Sequence, residues 1–407
     1  MHQAGRRVAA ALTFRDFRLL WLGALVSSIG TWMQKVAQAW LIVTLTGTAS
    51  AFFLGLDSFL SEVPILLFTL IGGVVADRHN RRHLMLMSQF IQMTAAFLLA
   101  TLVYTGSVQI WLILTLSFIT GVAQAFGGPA YQSLIPSLIP KEHLPNAIAL
   151  NSIQFNLARV IGPLVAGAAL TAFGMVACFG LNGVSFLFVI AAILALHVAH
   201  VPSTSTEGMR DQLKGGLRFV RHHPQLVTLT TLGFISAFLG LPLLTFLPII
   251  TKDVFHQDVT LYTHFMTLAG AGAVVGALTV AWVGKHRHMG LLLLVMQALL
   301  GLTAVGFSLS TTVWLSQLLL FLGGAMLVTC FSLTTSLVQL LAPQELRGRV
   351  VSIYMVAFRG GSPLGGLISG WLVTQIGSAP YVLALNGGLL TIVALIAMTR
   401  DHGLREI

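Results

Sequence analysis

Apolar runs of about twenty residues and more, parted by short polar clusters, follow one another along the chain. A bilayer span needs roughly 20 predominantly apolar residues, so the runs read as membrane spans. Helices are expected, because every backbone N–H and C=O must be satisfied inside the bilayer. The pattern predicts twelve spans, over 17–46, 52–76, 83–105, 109–135, 146–173, 176–199, 225–251, 259–284, 288–309, 313–340, 350–376 and 380–399. The longest connection, from His200 to Pro224, divides them six and six. The expected architecture is therefore an all-α integral membrane protein of twelve transmembrane helices. It has an N-terminal half over 1–200, a linker over 201–224 and a C-terminal half over 225–407.

Composition agrees. The 407 residues are 56% hydrophobic and 8% charged, against about 25% charged in soluble domains. A signal peptide is not expected, since the run from Phe17 to Thr46 is twice too long for one and further spans follow. Cys178 and Cys330 lie in different apolar segments and form neither a disulfide framework nor a metal-ligand spacing. The histidines cluster at loop ends and read as interfacial. Neither a metal nor a cofactor is expected.

The net charge of +10 is topological. With the N-terminus inside, eighteen Lys and Arg fall in cytoplasmic segments and one, Lys252, falls outside. That bias places both termini in the cytoplasm of a cell (inner) membrane protein and accounts for the charge without nucleic acid. Within the linker, Met209, Leu213, Leu217 and Val220 make one helical face, and Arg210, Lys214, Arg218 and Arg221 make the other. Such a helix suits the anionic inner leaflet; a plain basic linker is the alternative.

The halves repeat. "FNLARVIGPLVAG" (Phe155 to Gly167) and "VAFRGGSPLGG" (Val356 to Gly366) place Arg159 and Pro163 in register with Arg359 and Pro363. Two six-span halves entering from the same side make a pseudo-symmetric parallel repeat, whose substrate site is expected where the halves meet. Gly162, Pro163 and Pro363 free backbone groups and let their helices bend.

Lys35, Asp57, Glu62, Arg159 and Arg359 lie within spans. Each costs roughly 2.5–3.5 kcal/mol mid-bilayer, so each is expected to face protein or a watery cavity. Glu62 lies about 21 Å from the cytoplasmic end, Arg159 about 20 Å and Arg359 about 14 Å, at 1.5 Å per residue. Depth thus matches Glu62 to Arg159. Ser152, Asn156, Arg159 and Pro163 share one face of the fifth span, and Thr31, Gln34 and Gln38 share one of the first, with Lys35 beside them. Gln124 adds polarity to the fourth span, and Phe234 and Phe238 offer an aromatic wall in the seventh. Small and amide side chains also join helices, so a packing role stands beside the cavity role for each.

The second span ends in "GGVVADRHNRRHL", in which Gly73, Asp77, Arg78, Arg81 and Arg82 stand as G-x-x-x-D-R-x-x-R-R. Gly73 is expected to admit a neighbouring helix, Asn80 to take a left-handed turn, and Asp77 to hold arginines or a helix N-terminus. The spacing resembles the signature loop of the major facilitator superfamily, a latch on one face of the alternating-access cycle. That family usually has glycine where Asn80 stands. The second half's "GALTVAWVGKHRHMG" keeps basic residues but no aspartate.

Gly162-Pro163 with Gly167 resembles the "GP" motif of exporters. The stretch from "PAYQSLIPSLIPKEHLPNAIALNS" through "GPLVAG", with "KGGLRFVRHHPQL", is similar to the drug and siderophore efflux subgroup that contains the enterobactin exporter. The resemblance implies a monomeric, proton-coupled exporter of a small amphiphilic, siderophore- or drug-like molecule, with protons and membrane lipid as further partners. Glu62 is the preferred proton carrier, with Asp57 nearer the outer mouth. The family's packing of spans two and eleven draws Glu62 toward Arg359, so both arginine pairings stand open. The deep groups sum to +1, which favours an anionic or catechol-like substrate. Lipid or lysolipid flipping is a second reading, and a non-transporting membrane sensor a third. An enzyme is disfavoured, because no acid and base pair, Ser/His set or metal set occurs at membrane depth.

Overall fold

The computed structural model describes residues 10–78, 80–197, 217–284, 288–400 and 403, with backbone alone at 70, 74, 76–78 and 283. Most of the expected linker helix, including Met209, Arg210, Leu213 and Lys214, lies outside the described residues; its end, 217–222, is helical. Among the described residues there is no strand. Helices α1 (Arg15–Thr46), α2 (Ser50–Arg78), α3 (Arg81–Tyr104), α4 (Ile110–Leu134) and α5 (Leu144–Leu194) come first. Then α6 (Pro224–Ile235) passes through a π-helical turn, Ser236–Gly240, into the short α7 (Pro242–Thr245) and α8 (Leu247–Asp253). Five helices complete the chain: α9 (Val259–Val283), α10 (Met289–Leu309), α11 (Val313–Leu341), α12 (Arg347–Ile376) and α13 (Ala379–Arg400).

Among the described residues, nine helical segments are long and apolar enough to cross a membrane. α12 is not one of the nine. Arg359, Gly360, Gly361 and Ser362 interrupt its apolar middle. α5 has 51 residues, about 76 Å if straight, far beyond one bilayer crossing of about 30 Å. It is broken at Gly174, whose φ of 77° and ψ of −175° are non-helical. Glycine reaches positive φ without the Cβ penalty, so a turn falls between the spans expected at 146–173 and 176–199. α12 stops where Gly377, at φ 76°, donates its N–H to the Val373 carbonyl.

Large apolar side chains also cover the outside of these helices. Leu67, Phe173 and Leu278 are exposed, as a lipid-facing surface requires. Large aromatics gather at helix ends, where their polar tips meet the headgroups. Tyr104 ends α3, Trp111 begins α4, Trp282 closes α9, Trp314 opens α11 and Tyr381 opens α13, all exposed.

Contacts resolve the chain into two compact units, one of 1–45 with 60–204 and one of 46–59 with 205–407. In the first, Phe17 and Leu20 of α1, Met85 of α3, Leu134 of α4 and Phe186 and Ile193 of α5 form the core. In the second, Leu229 of α6, Leu293 of α10, Cys330 and Leu333 of α11 and Tyr354 of α12 do so. The stretch 46–59, the first part of α2, joins the second unit because it lies on α12. A Cβ at Gly370 would come 2.4 Å from the Ala51 carbonyl, and one at Gly55 would come 2.4 Å from that of Gly366. With lipid outside, apolar burial alone does not drive helices together; close backbone approach and interhelical hydrogen bonds do.

Candidate functional site

The seam between α1 and α5 in the first unit brings together Lys35, Arg159 and Gly162 of the residues singled out above. Gly162 sets its closeness. A Cβ there would lie 2.3 Å from Cβ of Trp32 and 3.1 Å from the Ile29 carbonyl, so only glycine fits. Trp32 meets Phe155 edge-on, with ring centroids 6.1 Å apart. Lys35 holds its ammonium 5.3 Å from the Trp32 ring centroid, within cation–π range. Arg159 is half-buried on α5, one turn beyond Phe155 and one turn before Gly162. Among the described residues it has neither an ion pair nor a hydrogen bond. The seam thus sets the Lys35 ammonium over Trp32, with Arg159 on the same helix as Phe155.

Several polar residues expected in a cavity instead join helices. Gln34 accepts a 2.6 Å bond from Asn182 of α5, whose Oδ1 and main-chain carbonyl accept from Ser185. Gln38 donates to Ser117 of α4 at 3.0 Å. Thr31 and Asn156 donate to carbonyls of their own helices, those of Ser27 and Ser152. Gln124 is exposed and accepts from Gln92 of α3 at 3.4 Å. Pattern reading passed over Gln154 and Asn182. Gln154 is buried and donates to the Ala24 carbonyl and to Ser28 of α1. A polar residue in an apolar span was the available signal; which helix it meets was not.

Glu62 is half-buried on α2. Of the pairings left open, Glu62 with Arg159 is not formed in this structure, and among the described residues Glu62 has neither an ion pair nor a hydrogen bond. Asp57 is half-buried and not a free group. In the second unit Arg359 is exposed on α12 and Pro363 is buried. Phe234 and Phe238 stack at 5.7 Å, and their carbonyls lie over Gly361 and Gly365 of α12. Both Pro163 and Pro363 sit within continuous helix, and the non-helical break in α5 comes later, at Gly174.

The loop after α2 corrects two expectations. Gly73 does not admit a neighbouring helix: no described atom lies within 4 Å of its Cβ position. Gly72 does, because a Cβ there would sit 2.3 Å from the Ala125 carbonyl of α4. Adjacent helical residues point about 100° apart, at 3.6 residues per turn, so the sequence places a glycine pair without telling which one is packed. Asn80 does not take a left-handed turn. It has φ −64° and ψ 109°, and it caps α3 by accepting from the Arg82 N–H at 3.0 Å. Arg81 donates to the Ser133 carbonyl near the end of α4, and Arg82 donates to that of Leu194, the last residue of α5. Both guanidinium groups therefore sit where a helix C-terminus favours cations. The side chains of Asp77 and Arg78 lie outside the described residues.

Macrolide efflux protein A of Streptococcus pyogenes is 23% identical over 400 residues, covering 93% of this chain and 94% of that one. The staphyloferrin A transporter of Staphylococcus aureus is 25% identical over 345 residues, covering 84% and 85%. The crystal structure of nucleoside transporter NupG is similar in fold, with a TM-score of 0.71 at 15% identity over 95% of this chain and 98% of that one. Residues 8–405 match the transmembrane secretion effectors, and the chain belongs to that family, within the major facilitator superfamily.

Proposed function

We propose that this multi-pass membrane transporter exports a small amphiphilic molecule, drug- or siderophore-like, in exchange for protons by alternating access. The observation that carries the reading is a half-buried carboxylate, Glu62, and a half-buried guanidinium, Arg159, in one unit with neither paired to the other. Charges held at membrane depth mark substrate and ion pathways. Lys35 over Trp32, and Arg159 one turn along α5 from Phe155, suit a flat anionic group such as a catecholate, which cations and aromatic faces both recognise. In this scheme Glu62 is the proton carrier. Competition between substrate and Glu62 for a cation links the two movements. Gln124 is a secondary contact in this scheme. Gly73, Asp77, Arg78, Arg81 and Arg82 form its latch.

The names of the macrolide and staphyloferrin A relatives support the substrate class. Positive charge supports the topology: twelve spans, six on either side of the 201–224 linker, with both termini cytoplasmic. The working unit is a monomer. The test is substrate-driven proton movement in proteoliposomes screened with siderophores, dyes and lysolipids. Glu62→Gln is expected to bind substrate but to move no protons with it. Coupling at the wild-type level in that variant would sink the proton role, and transport of lysolipids alone would replace export with flipping.

A further inference from the structure

In the second unit, α6 and α13 border a groove that the transport reading leaves unused. Its volume is about 310 Å³, and Val227, Thr231 and Leu232 of α6 face Val393, Ile396 and Arg400 of α13 across it. The α13 wall runs from 393 to 400, about 10 Å of helix, or two thirds of the roughly 15 Å hydrocarbon depth of one leaflet. Val227 and Ile396 are 40% and 47% exposed, so the groove opens sideways to the membrane. Its interior is nearly all apolar, and its one charged lining residue is Arg400, at the very end of α13. The helical stretch 217–222 leading into α6 adds Arg218 and Arg221, both exposed. Carboxylates are absent from 217–235 and 379–400; Asp401 follows Arg400 in the sequence, so the three arginines Arg218, Arg221 and Arg400 stand against one aspartate. The result is an apolar trough with a cationic end at the membrane edge.

We infer that the groove holds one acyl chain of an anionic phospholipid, with the lipid phosphate on Arg400. A guanidinium pairs with phosphate oxygens through two parallel hydrogen bonds, and the apolar walls match a hydrocarbon tail. A zwitterionic lipid offers the same tail but brings a cation against the arginines. The volume lies at the low end of the roughly 300–1,000 Å³ of small-molecule sites, which fits one chain better than a bulky amphiphile. In the orientation proposed above, Arg400 faces the anionic cytoplasmic leaflet; only this point rests on that reading.

The test is native mass spectrometry of the full chain in detergent, titrated with phosphatidylglycerol, phosphatidylcholine of the same chains, and glycerol phosphate. Neither orientation nor transport enters that measurement. One phosphatidylglycerol is expected to bind ahead of phosphatidylcholine. Arg400→Gln should lower that preference about fivefold, the equivalent of roughly 1 kcal/mol per arginine near a membrane surface. Thr231→Trp and Val227→Trp fill the groove from its membrane side and should each remove the tight lipid while leaving thermal unfolding unchanged. An unchanged preference in Arg400→Gln overturns the phosphate assignment. Tight lipid retained in both tryptophan variants overturns the groove, and glycerol phosphate binding as well as the lipid overturns the acyl chain.

Discussion

Two adjacent glycines on α2 give a sharp test of how the helices of the first unit are held. A Cβ at Gly72 would lie 2.3 Å from the Ala125 carbonyl oxygen, 3.1 Å from its carbonyl carbon and 3.2 Å from the Phe126 Cα. All three are backbone atoms of α4, so no side chain can swing away. One at Gly73 would meet no described atom within 4 Å. Gly72→Ala must therefore part α2 from α4 by about 1 Å to restore ordinary contact near 3.5 Å, an overpacking that costs about 1–3 kcal/mol. Both substitutions gain the same helix propensity, up to about 1 kcal/mol, so the difference between them isolates the packing. For a unit of this size, roughly 2–4 °C per kcal/mol puts Gly72→Ala about 2–12 °C below Gly73→Ala. Cys178 and Cys330 are free and buried, so a thiol-reactive dye reports unfolding of the purified protein directly. If Gly72→Ala melts at or above Gly73→Ala, α2 and α4 do not touch at Gly72, and the account of the seam is wrong.

Asn80→Ala is expected to lower stability by about 1 kcal/mol and Asn80→Gly by only a few tenths, the order for a helix N-cap; a left-handed residue would instead be stabilised by glycine. Gln297 is fully buried on α10, and among the described residues neither of its amide atoms has a hydrogen-bond partner. Gln297→Met keeps the shape and removes an unsatisfied amide, so it should raise the melting temperature by the equivalent of about 1–3 kcal/mol. A fall of that size in the same dye assay would mean that the amide is satisfied in the working protein.

Helix boundaries were legible because hydropathy and turn residues are local. The span expected at 313–340 is observed as Val313–Leu341, and that at 259–284 as Val259–Val283. The fall between the fifth and sixth spans landed on Gly174, where the backbone leaves helical values. The site was less legible. Arg159, Lys35 and Gly162 were found as anomalies of charge and of small size. That Trp32 stands among them depends on how α1 and α5 are rotated about their axes, which hydropathy does not record when every face is apolar. Gln34 and Gln38 looked like cavity residues because nothing in a single helix distinguishes an amide facing water from one facing Asn182 or Ser117.

By itself the sequence determined that the chain spans a membrane as helices, roughly where each begins and ends, and which rare charges lie at depth. These follow from the high cost of unsatisfied backbone and of charge in hydrocarbon, which acts on each segment alone. Only the tertiary structure decided that Gly72 rather than Gly73 is packed and that Glu62 stands apart from Arg159. Each of these depends on the rotation and spacing of helices distant in sequence, set by backbone contacts that leave no periodic trace in the chain.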